Sequence, residues 1–510
     1  MAEYLSPAVF IEELSSGIKP FQAVGTSTGA FVGHAERGPL GVATSIDNYA
    51  QFVRTFGDAI DDGYLAFAVK AFFDEGGTSC YVVRTAHFAA GAYTAIASGA
   101  TFANAAAASV VRVQAASAGT WGATLTATIA SDGVNLFRLQ VARAGAPVHD
   151  FRELSLDPLS ARYAPTTVAR EPSPLVEVVD LTVGVAMAAS DRVPAPAAAT
   201  PLTGGSAGLA SLATADYVGD SANKIGLHAL DAIDDVNIVA IPDAVDRDVH
   251  VQGMAYCAAR MDCFYVADVA EAATTTAQVV NYKRAQGTYS GGNAFNSKYG
   301  ALYAPWVDVM DPRTGGAVRI PPSGAVMGRY ARTDGTRGVH KAPAGVVDGR
   351  LASVLALAVT YSHGEQEKLN PLGINVIRDL AGVGNTVWGA RTVSSDPEWR
   401  YLNVRRLFLF LEKTIECNTG WTVFEPNDPR LWKSIVRNAS AFLRLQYRAG
   451  ALVGATEADA YYVKCDAETN PPESVALGRV ITEIGVAPSK PAEFVIFRIE
   501  QFQSGSSVAE

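Results

Sequence analysis

The sequence predicts a multidomain α/β (α+β) chain: a mixed α/β core, a β-rich domain inserted into it, a C-terminal α+β domain, and an extended strand arm at each terminus. Three observations predict it. The 510 residues suffice for about three or four domains at roughly 100 to 200 residues each. Strand-like and helix-like stretches alternate through residues 21–90 and again after 206, the pattern of an α/β core. Between them, residues 91–205 turn to Ala, Thr, Val and Gly in short alternating runs, which reads as an insertion.

Taken in order, residues 1–20 form the N-terminal arm. Pro7 and Pro20 bracket the β-prone run Val9-Phe10-Ile11, and Ser15-Ser16-Gly17 breaks it. The core (21–90 plus 206–345) opens with a strand at Ala30-Phe31-Val32 before the Gly38-Pro39 turn, a helix from Tyr64 to Asp74, and a strand at Cys80-Tyr81-Val82-Val83. The inserted domain (91–205) offers strands at Ser109 to Val113 and Thr124 to Ile129, then closes through Pro194, Pro196, Pro201 and Gly204-Gly205. The core resumes with buried-type strands at Val236 to Pro242 and Cys263 to Val266. A Gly- and Pro-rich passage from Pro305 to Gly349 ends it. In the C-terminal domain (346–491), helices are expected near Arg350 to Ser362, Val404 to Cys417 and Asp428 to Arg448. The last segment, 492–510, is a second arm with a strand over Phe494 to Gln501. Isolated strands are aggregation hazards unless something pairs with them, so the arms either pair within the chain or add strands to neighbouring subunits.

Lys+Arg 41 against Asp+Glu 51 gives a net charge of −10, and charged residues reach only 18% where about 25% is usual. High apolar content excludes disorder, and the acidic balance disfavours a free nucleic-acid binder. The shortage of charge suggests that much of the surface meets other protein. The longest apolar stretch, Leu351 to Val359, is far short of the roughly 20 residues that span a bilayer. The acidic, Lys- and Arg-free start MAEYLSPAVFIEEL is no Sec signal peptide, so cytoplasmic synthesis and assembly are expected. Cys80, Cys257, Cys263, Cys417 and Cys465 lack CxxC spacing and read as reduced, mostly buried thiols.

The segment Asp428 to Gly450 carries the clearest helix signals: Asn427 or Asp428 as N-cap, Pro429 at the first helical position, Gly450 as the stop. At about 100° per residue, Arg430, Lys433, Arg437, Arg444 and Arg448 fall within an arc of roughly 60°. Leu431, Trp432, Ile435, Ala439, Phe442 and Leu443 take the other side. No Asp or Glu lies between Pro429 and Arg448. A purely basic stripe in an acidic chain implies either an acidic partner or acids from elsewhere in the same chain.

Chemistry-bearing motifs are scarce. Gly25-Thr26-Ser27-Thr28-Gly29 matches GxSxG, but a nucleophile elbow needs a strand before it and a helix after it, and Ala30 onward reads as strand. The alternative functions are a serine hydrolase using Ser27 and a nucleic-acid-binding protein using the basic helix 429–448. No P-loop, HExxH or EF-hand pattern occurs, and the seven histidines are scattered, so no metal or cofactor site is expected. Asp231, Asp234 and Asp235 read as a helix-to-strand loop, and Gly382-Val383-Gly384 as a turn. No active site, and hence no enzyme, is expected.

The runs NPLGINVIRDLAGVGNTVWGART (Asn370 to Thr392), WRYLNVRRLFLFLEKTIE (Trp399 to Glu416), WTVFEPNDPRLWKSI (Trp421 to Ile435) and IGVAPSKPAEFVIFRIEQ (Ile484 to Gln501) resemble the contractile tail sheath proteins of bacteriophages and phage-tail-like injection systems. So do YLSPAVFIEEL (Tyr4 to Leu14), ALYAPWVDVMDP (Ala301 to Pro312) and GRYARTDGTRGVHKAPAG (Gly328 to Gly345), all in family order. The resemblance implies stacked hexameric rings around an inner tube, with contraction driving the tube through a target envelope. It implies an outward-facing inserted domain and a tube-facing C-terminal domain. Arms through Tyr4, Val9, Phe10 and Ile11, and through Phe494, Val495, Ile496, Phe497 and Ile499, would join neighbouring copies. Arg430, Lys433, Arg437, Arg444 and Arg448 would face the tube. The implied partners are further copies of the chain, the tube protein, and baseplate and terminal cap proteins, with no nucleic acid and no membrane insertion.

Overall fold

The computed structural model describes residues 21–496 apart from 173, 245 and 495. These fall into two compact units, one of Ala23–Val339 with Pro343–Lys413, the other containing residues 21–22, 340–342 and 414–496. Each is taken by itself.

The larger unit is built on an eight-stranded sheet of β1 (Gly29–Gly33), β2 (Thr44–Ile46), β3 (Cys80–Arg84), β4 (Ile238–Ala240), β5 (Phe264–Asp268), β6 (Gly300–Ala304), β7 (Ile374–Leu380) and β8 (Gly384–Val387). Their order is β2-β3-β1-β4-β5-β6-β7-β8. The six inner strands are parallel, and the edges β2 and β8 run antiparallel. Every residue of β1, β4, β5 and β6 is buried. That explains the unbroken apolar runs, since a parallel sheet is covered on both faces.

Two helices, α1 (Leu65–Asp74) and α2 (Ser323–Arg337), pack tightly together on this sheet. A Cβ added at Gly324 would stand 2.3 Å from the Ala68 carbonyl oxygen, and one at Gly328 2.3 Å from that of Phe72. The glycines, helix-weakening in isolation, are what let the two backbones approach. The Gly- and Pro-rich passage from Pro305 to Gly349 therefore holds a fifteen-residue helix. Glu75, just past α1, is fully buried and pairs with Arg329 of α2 at 2.7 Å. Asp268, at the carboxyl end of β5, accepts a 2.8 Å bond from the Ser323 N–H at the start of α2. Its other oxygen is buried without a hydrogen-bond partner, and burial pushes its pKa up to about 7.

Between β3 and β4 lies a β-rich body. One four-stranded sheet runs Ala146–Leu154, Phe137–Arg143, Leu125–Ser131, Ala197–Pro201, and a three-stranded one runs Val176–Asp180, Ser109–Ala115, Gly99–Ala103. Pairing within both is antiparallel. Burial alternates along Leu125–Ser131 and Phe137–Arg143, and the inward set (Val111, Val113, Leu125, Ile129, Leu139, Val141, Val176, Val178) forms one core, as expected for facing sheets.

One expected helix is absent. The run within Arg350 to Ser362 gives the strand Val354–Leu357, antiparallel to Val307–Met310, which also pairs with Ala317–Ile320. The helix start signal sits at the end of the run instead. Ser362 accepts from the Glu365 N–H in a capping box, so the helix is His363–Leu369. The next helix, α3 (Leu402–Thr419), belongs to the larger unit as far as Lys413. There Arg406 pairs with Asp334 of α2 at 2.6 Å, both side chains nearly inaccessible.

The smaller unit centres on α4 (Pro429–Arg448) and a two-stranded antiparallel ribbon of β9 (Tyr461–Lys464) and β10 (Glu483–Val486). Leu431, Trp432, Ile435 and Cys465 form its core with Trp421, Val436, Val475 and Val480. Buried Asn470 fixes the approach to β10, accepting from the Ile481 N–H at 2.6 Å and donating to the Ile481 carbonyl at 3.0 Å.

Candidate assembly site

A doubly wound sheet binds ligands beyond the carboxyl ends of its strands, where the strand order reverses. Here the reversal lies between β1 and β4. That crevice is filled from within the chain. Asp243, three residues past β4, accepts the His34 N–H at 2.6 Å and the Tyr64 N–H, and the Tyr217 hydroxyl meets His34 Nε2 at 3.0 Å. His34 and Asp243 are 6% and 4% exposed. Even a methyl group at Gly33 would collide with the Asp243 carboxylate, at 2.2 Å. A His, an Asp and a Tyr are thus brought together across about two hundred residues, but as a plug sealed from solvent.

Other candidate chemistry is no more open. Ser27 lies in the segment entering β1, without the strand before it and helix after it that an elbow requires. Asp231, Asp234 and Asp235 occupy the loop before β4, where Asp231 accepts the Tyr256 hydroxyl at 3.0 Å. An open groove of about 460 Å³ in the inserted body is lined by Asn104, Ala105, Ala106, Ser190, Asp191 and Val193 to Pro196, with Asp191 its single titratable side chain. No group of three or more His, Cys, Asp or Glu suited to a metal occurs among the described residues.

The surface of the smaller unit is where chemistry is concentrated. Helix α4 begins at Asp428, whose carboxylate accepts the N–H groups of Arg430 (2.8 Å) and Leu431 (3.0 Å), with Pro429 at the first position. It ends in a Schellman turn: Gly450 has φ +78°, its N–H donates to Tyr447, and the Ala451 N–H donates to Gln446. Leu431, Trp432, Ile435, Ala439, Phe442 and Leu443 are buried. Arg430, Lys433, Arg437, Arg444 and Arg448 are all exposed. An acid from further along the chain meets this stripe. Arg444 Nε donates to Glu457 at 2.9 Å, and that hydrogen bond holds its guanidinium pKa above the ordinary value.

The ribbon is the feature that residue patterns missed, although Tyr461-Tyr462-Val463 is a β-prone triplet. Among the described residues it has no third strand on either side. The Ala487 N–H donates to the Ala460 carbonyl, one register step beyond the pair Tyr461↔Val486. Antiparallel pairs alternate between bonded and unbonded, so Tyr461 and Val463 on one edge, and Ile484 and Val486 on the other, direct their N–H and C=O groups away from the ribbon, where the Tyr461 N–H donates to the Glu457 carbonyl.

The two ends of the described chain belong to this same unit. The Gln22 N–H and C=O make reciprocal 2.8 Å bonds with the Asn418 side chain, and Phe21 packs on Phe442 of α4 with ring centroids 6.1 Å apart. Tyr4, Val9, Phe10 and Ile11 lie outside the described residues, as do Val495, Phe497 and Ile499. Phe494 and Ile496 are in no strand, with side chains 74% and 79% exposed.

A sealed switch point in one unit, with an unfinished ribbon and a basic helix face in the other, defines a chain organised around its surfaces rather than around a cleft. Residues 212–393 match the central domain of the phage tail sheath protein and residues 394–502 its C-terminal domain, together more than half of the chain. The chain belongs to the phage tail sheath family. It is 27% identical to the tail sheath protein of Enterobacteria phage T4 over 237 residues, 46% of this chain and 35% of that protein. It is likewise 27% identical to a putative prophage major tail sheath protein of Pseudomonas aeruginosa over 208 residues, 40% of this chain and 52% of that one. The chain thus spans about a third to a half of the length of these curated relatives.

Among solved structures, the PVC sheath complex of an extracellular contractile injection system in its contracted state aligns with TM-score 0.60 at 20% identity, covering 98% of this chain and 99% of that one. The contracted helical sheath of the anti-feeding prophage gives 0.56 at 22%, covering 98% and 99%. A sheath tail protein from Desulfitobacterium hafniense gives 0.60 at 14%, covering 90% and 93%. These likenesses establish the fold.

Proposed function

We propose that this chain is the structural subunit of a contractile sheath that stacks as hexameric rings around an inner tube and shortens to drive that tube through a target envelope. The observation that carries the proposal is the ribbon with no third strand among the described residues, in the unit that holds both ends of the described chain. A ribbon of two strands is marginal by itself, and exposed strand edges recruit further strands. The arms at Tyr4 to Leu14 and Phe494 to Gln501 would supply them from neighbouring copies. Such joints are geometrically defined yet flexible, so they hold a mesh together while the rigid units repack. The work of contraction would come from the difference between two packings of one subunit, summed over many copies.

In this scheme the basic face of α4 rests on the tube. Exposed charge pairs contribute only about 0 to 1 kcal/mol each, which suits a surface that holds in many copies and then releases. The chain would bind baseplate and terminal cap proteins at the ends of the polymer, and would carry out no bond chemistry and hold no cofactor. No described helix is long and apolar enough to cross a membrane. Assembly in the bacterial cytoplasm fits this picture. The test is removal of residues 1–14 or of 493–510. A soluble, folded subunit that makes no long sheaths in electron micrographs is expected, and sheaths of normal length would overturn the arm reading.

A further inference from the structure

The turn that leads into α4 displays the most exposed large apolar side chain among the described residues. Phe424 is 102% exposed, and Val423 beside it 61%. Its backbone has φ +68°, a left-handed conformation that bulky side chains rarely adopt. The turn is pinned on both sides. Trp421 packs into the core of the smaller unit. Asn427 accepts from Trp432 Nε1 at 2.8 Å and donates to the Arg479 carbonyl at 2.9 Å. The N–H groups of Val423, Glu425 and Asp428 donate to the carbonyls of Gly420, Thr422 and Pro426. A held loop that spends backbone strain to keep an aromatic ring in water is intelligible when a partner buries the ring.

We propose that Phe424, with Val423, is the apolar anchor of the contact whose electrostatic part is the basic face of α4, and that it enters an apolar socket in an acid-rimmed surface of the inner tube. The proposal rests on reading α4 as tube-facing. The placement favours the tube over a second copy. The ring stands at the head of the helix, six residues before Arg430 and nine before Lys433, and that face calls for an acidic partner. Copy-to-copy joining is assigned to the ribbon edges. Interfaces commonly concentrate affinity in one buried aromatic surrounded by weaker charged contacts. The basic stripe would then set orientation and salt dependence, and the ring would set strength.

The test uses full-length chain co-assembled with its tube protein. With p-benzoylphenylalanine in place of Phe424, irradiation of assembled particles is expected to give an adduct with the tube subunit, identified by mass spectrometry. An adduct with a second copy of the chain, or none from tube-loaded particles, overturns the proposal. Phe424→Gly is the companion variant, because glycine accepts the left-handed conformation. The soluble subunit is expected to melt at the same or a higher temperature, while tube attachment weakens about tenfold or more with unchanged salt dependence. Unaltered attachment overturns the anchor. Charge reversal at Arg430 and Lys433 separates this from the underlying reading: if reversal has no effect while the Phe424 adduct with the tube still forms, the basic face fails and the anchor stands.

Discussion

Ile484→Pro removes one outward N–H from the edge of β10 and none of the ribbon's own bonds, given the alternation set by the Ala487 to Ala460 bond. Proline is tolerated on edge strands for that reason. An arriving strand can bond the N–H and C=O of Ile484 and Val486. At about 0.5 to 1.5 kcal/mol net per bond, the joint is worth roughly 2 to 6 kcal/mol. The substitution loses one bond and leaves the arriving carbonyl unpaired, which costs about 1 to 3 kcal/mol more. A loss of roughly 2 to 4 kcal/mol per joint corresponds to about 30- to 1000-fold. Ile484→Ala removes the side chain and keeps the N–H, so the difference between the two variants isolates the backbone edge. Sedimentation of polymer against protein concentration, with thermal melting of the soluble subunit as the folding control, gives the measurement. The alanine variant should polymerise near the wild-type concentration and the proline variant only far above it. Equal polymerisation of the two would refute strand addition at this edge.

Two further outcomes are expected. Arg430→Glu with Lys433→Glu should weaken tube loading and flatten its salt dependence without lowering the melting temperature of the subunit; Arg444 is a poorer site for this test because Glu457 already holds it. Asp268→Asn addresses stability. The native carboxyl, raised to about 7 by burial, keeps its proton where the unfolded chain has lost it above the ordinary value of 3.8. Its contribution therefore declines as pH rises from about 4 to 7 and stays low above that. Asn keeps an acceptor for the Ser323 N–H, so the variant should melt higher than wild type at pH 8 and lose that advantage towards pH 4, as followed by thermal melts across the range.

What the sequence disclosed divides along physical lines. Strands at Ala30 to Val32 and Cys80 to Val83 were legible because a parallel sheet buried on both faces needs unbroken apolar runs. Helix α4 was legible because its cap, its first-turn proline, its stop and both faces are encoded within one stretch. Helix α2 was not, because its glycines argue against a helix locally and are explained only by the backbone of α1 lying against them. The run at Leu351 to Val359 failed for the converse reason: nothing local separates a short apolar helix from a strand, and pairing with Val307–Met310 decides. The Asp243 plug was invisible because its members are far apart in sequence. The exposed ring of Phe424 was hidden too, since a Val-Phe pair between two helices is as readily core as surface. The basic face could be placed from periodicity alone, but its Glu457 partner follows from how the chain turns after Gly450.

The central claim is that neighbouring copies complete the ribbon of β9 and β10. A cryo-electron microscopy map of the polymer assembled from full-length chain tests it most directly. Strands from residues 4–14 and 494–499 of other copies lying along the open edges of the ribbon are predicted. A ribbon that stays two-stranded in a fully formed polymer would contradict the account.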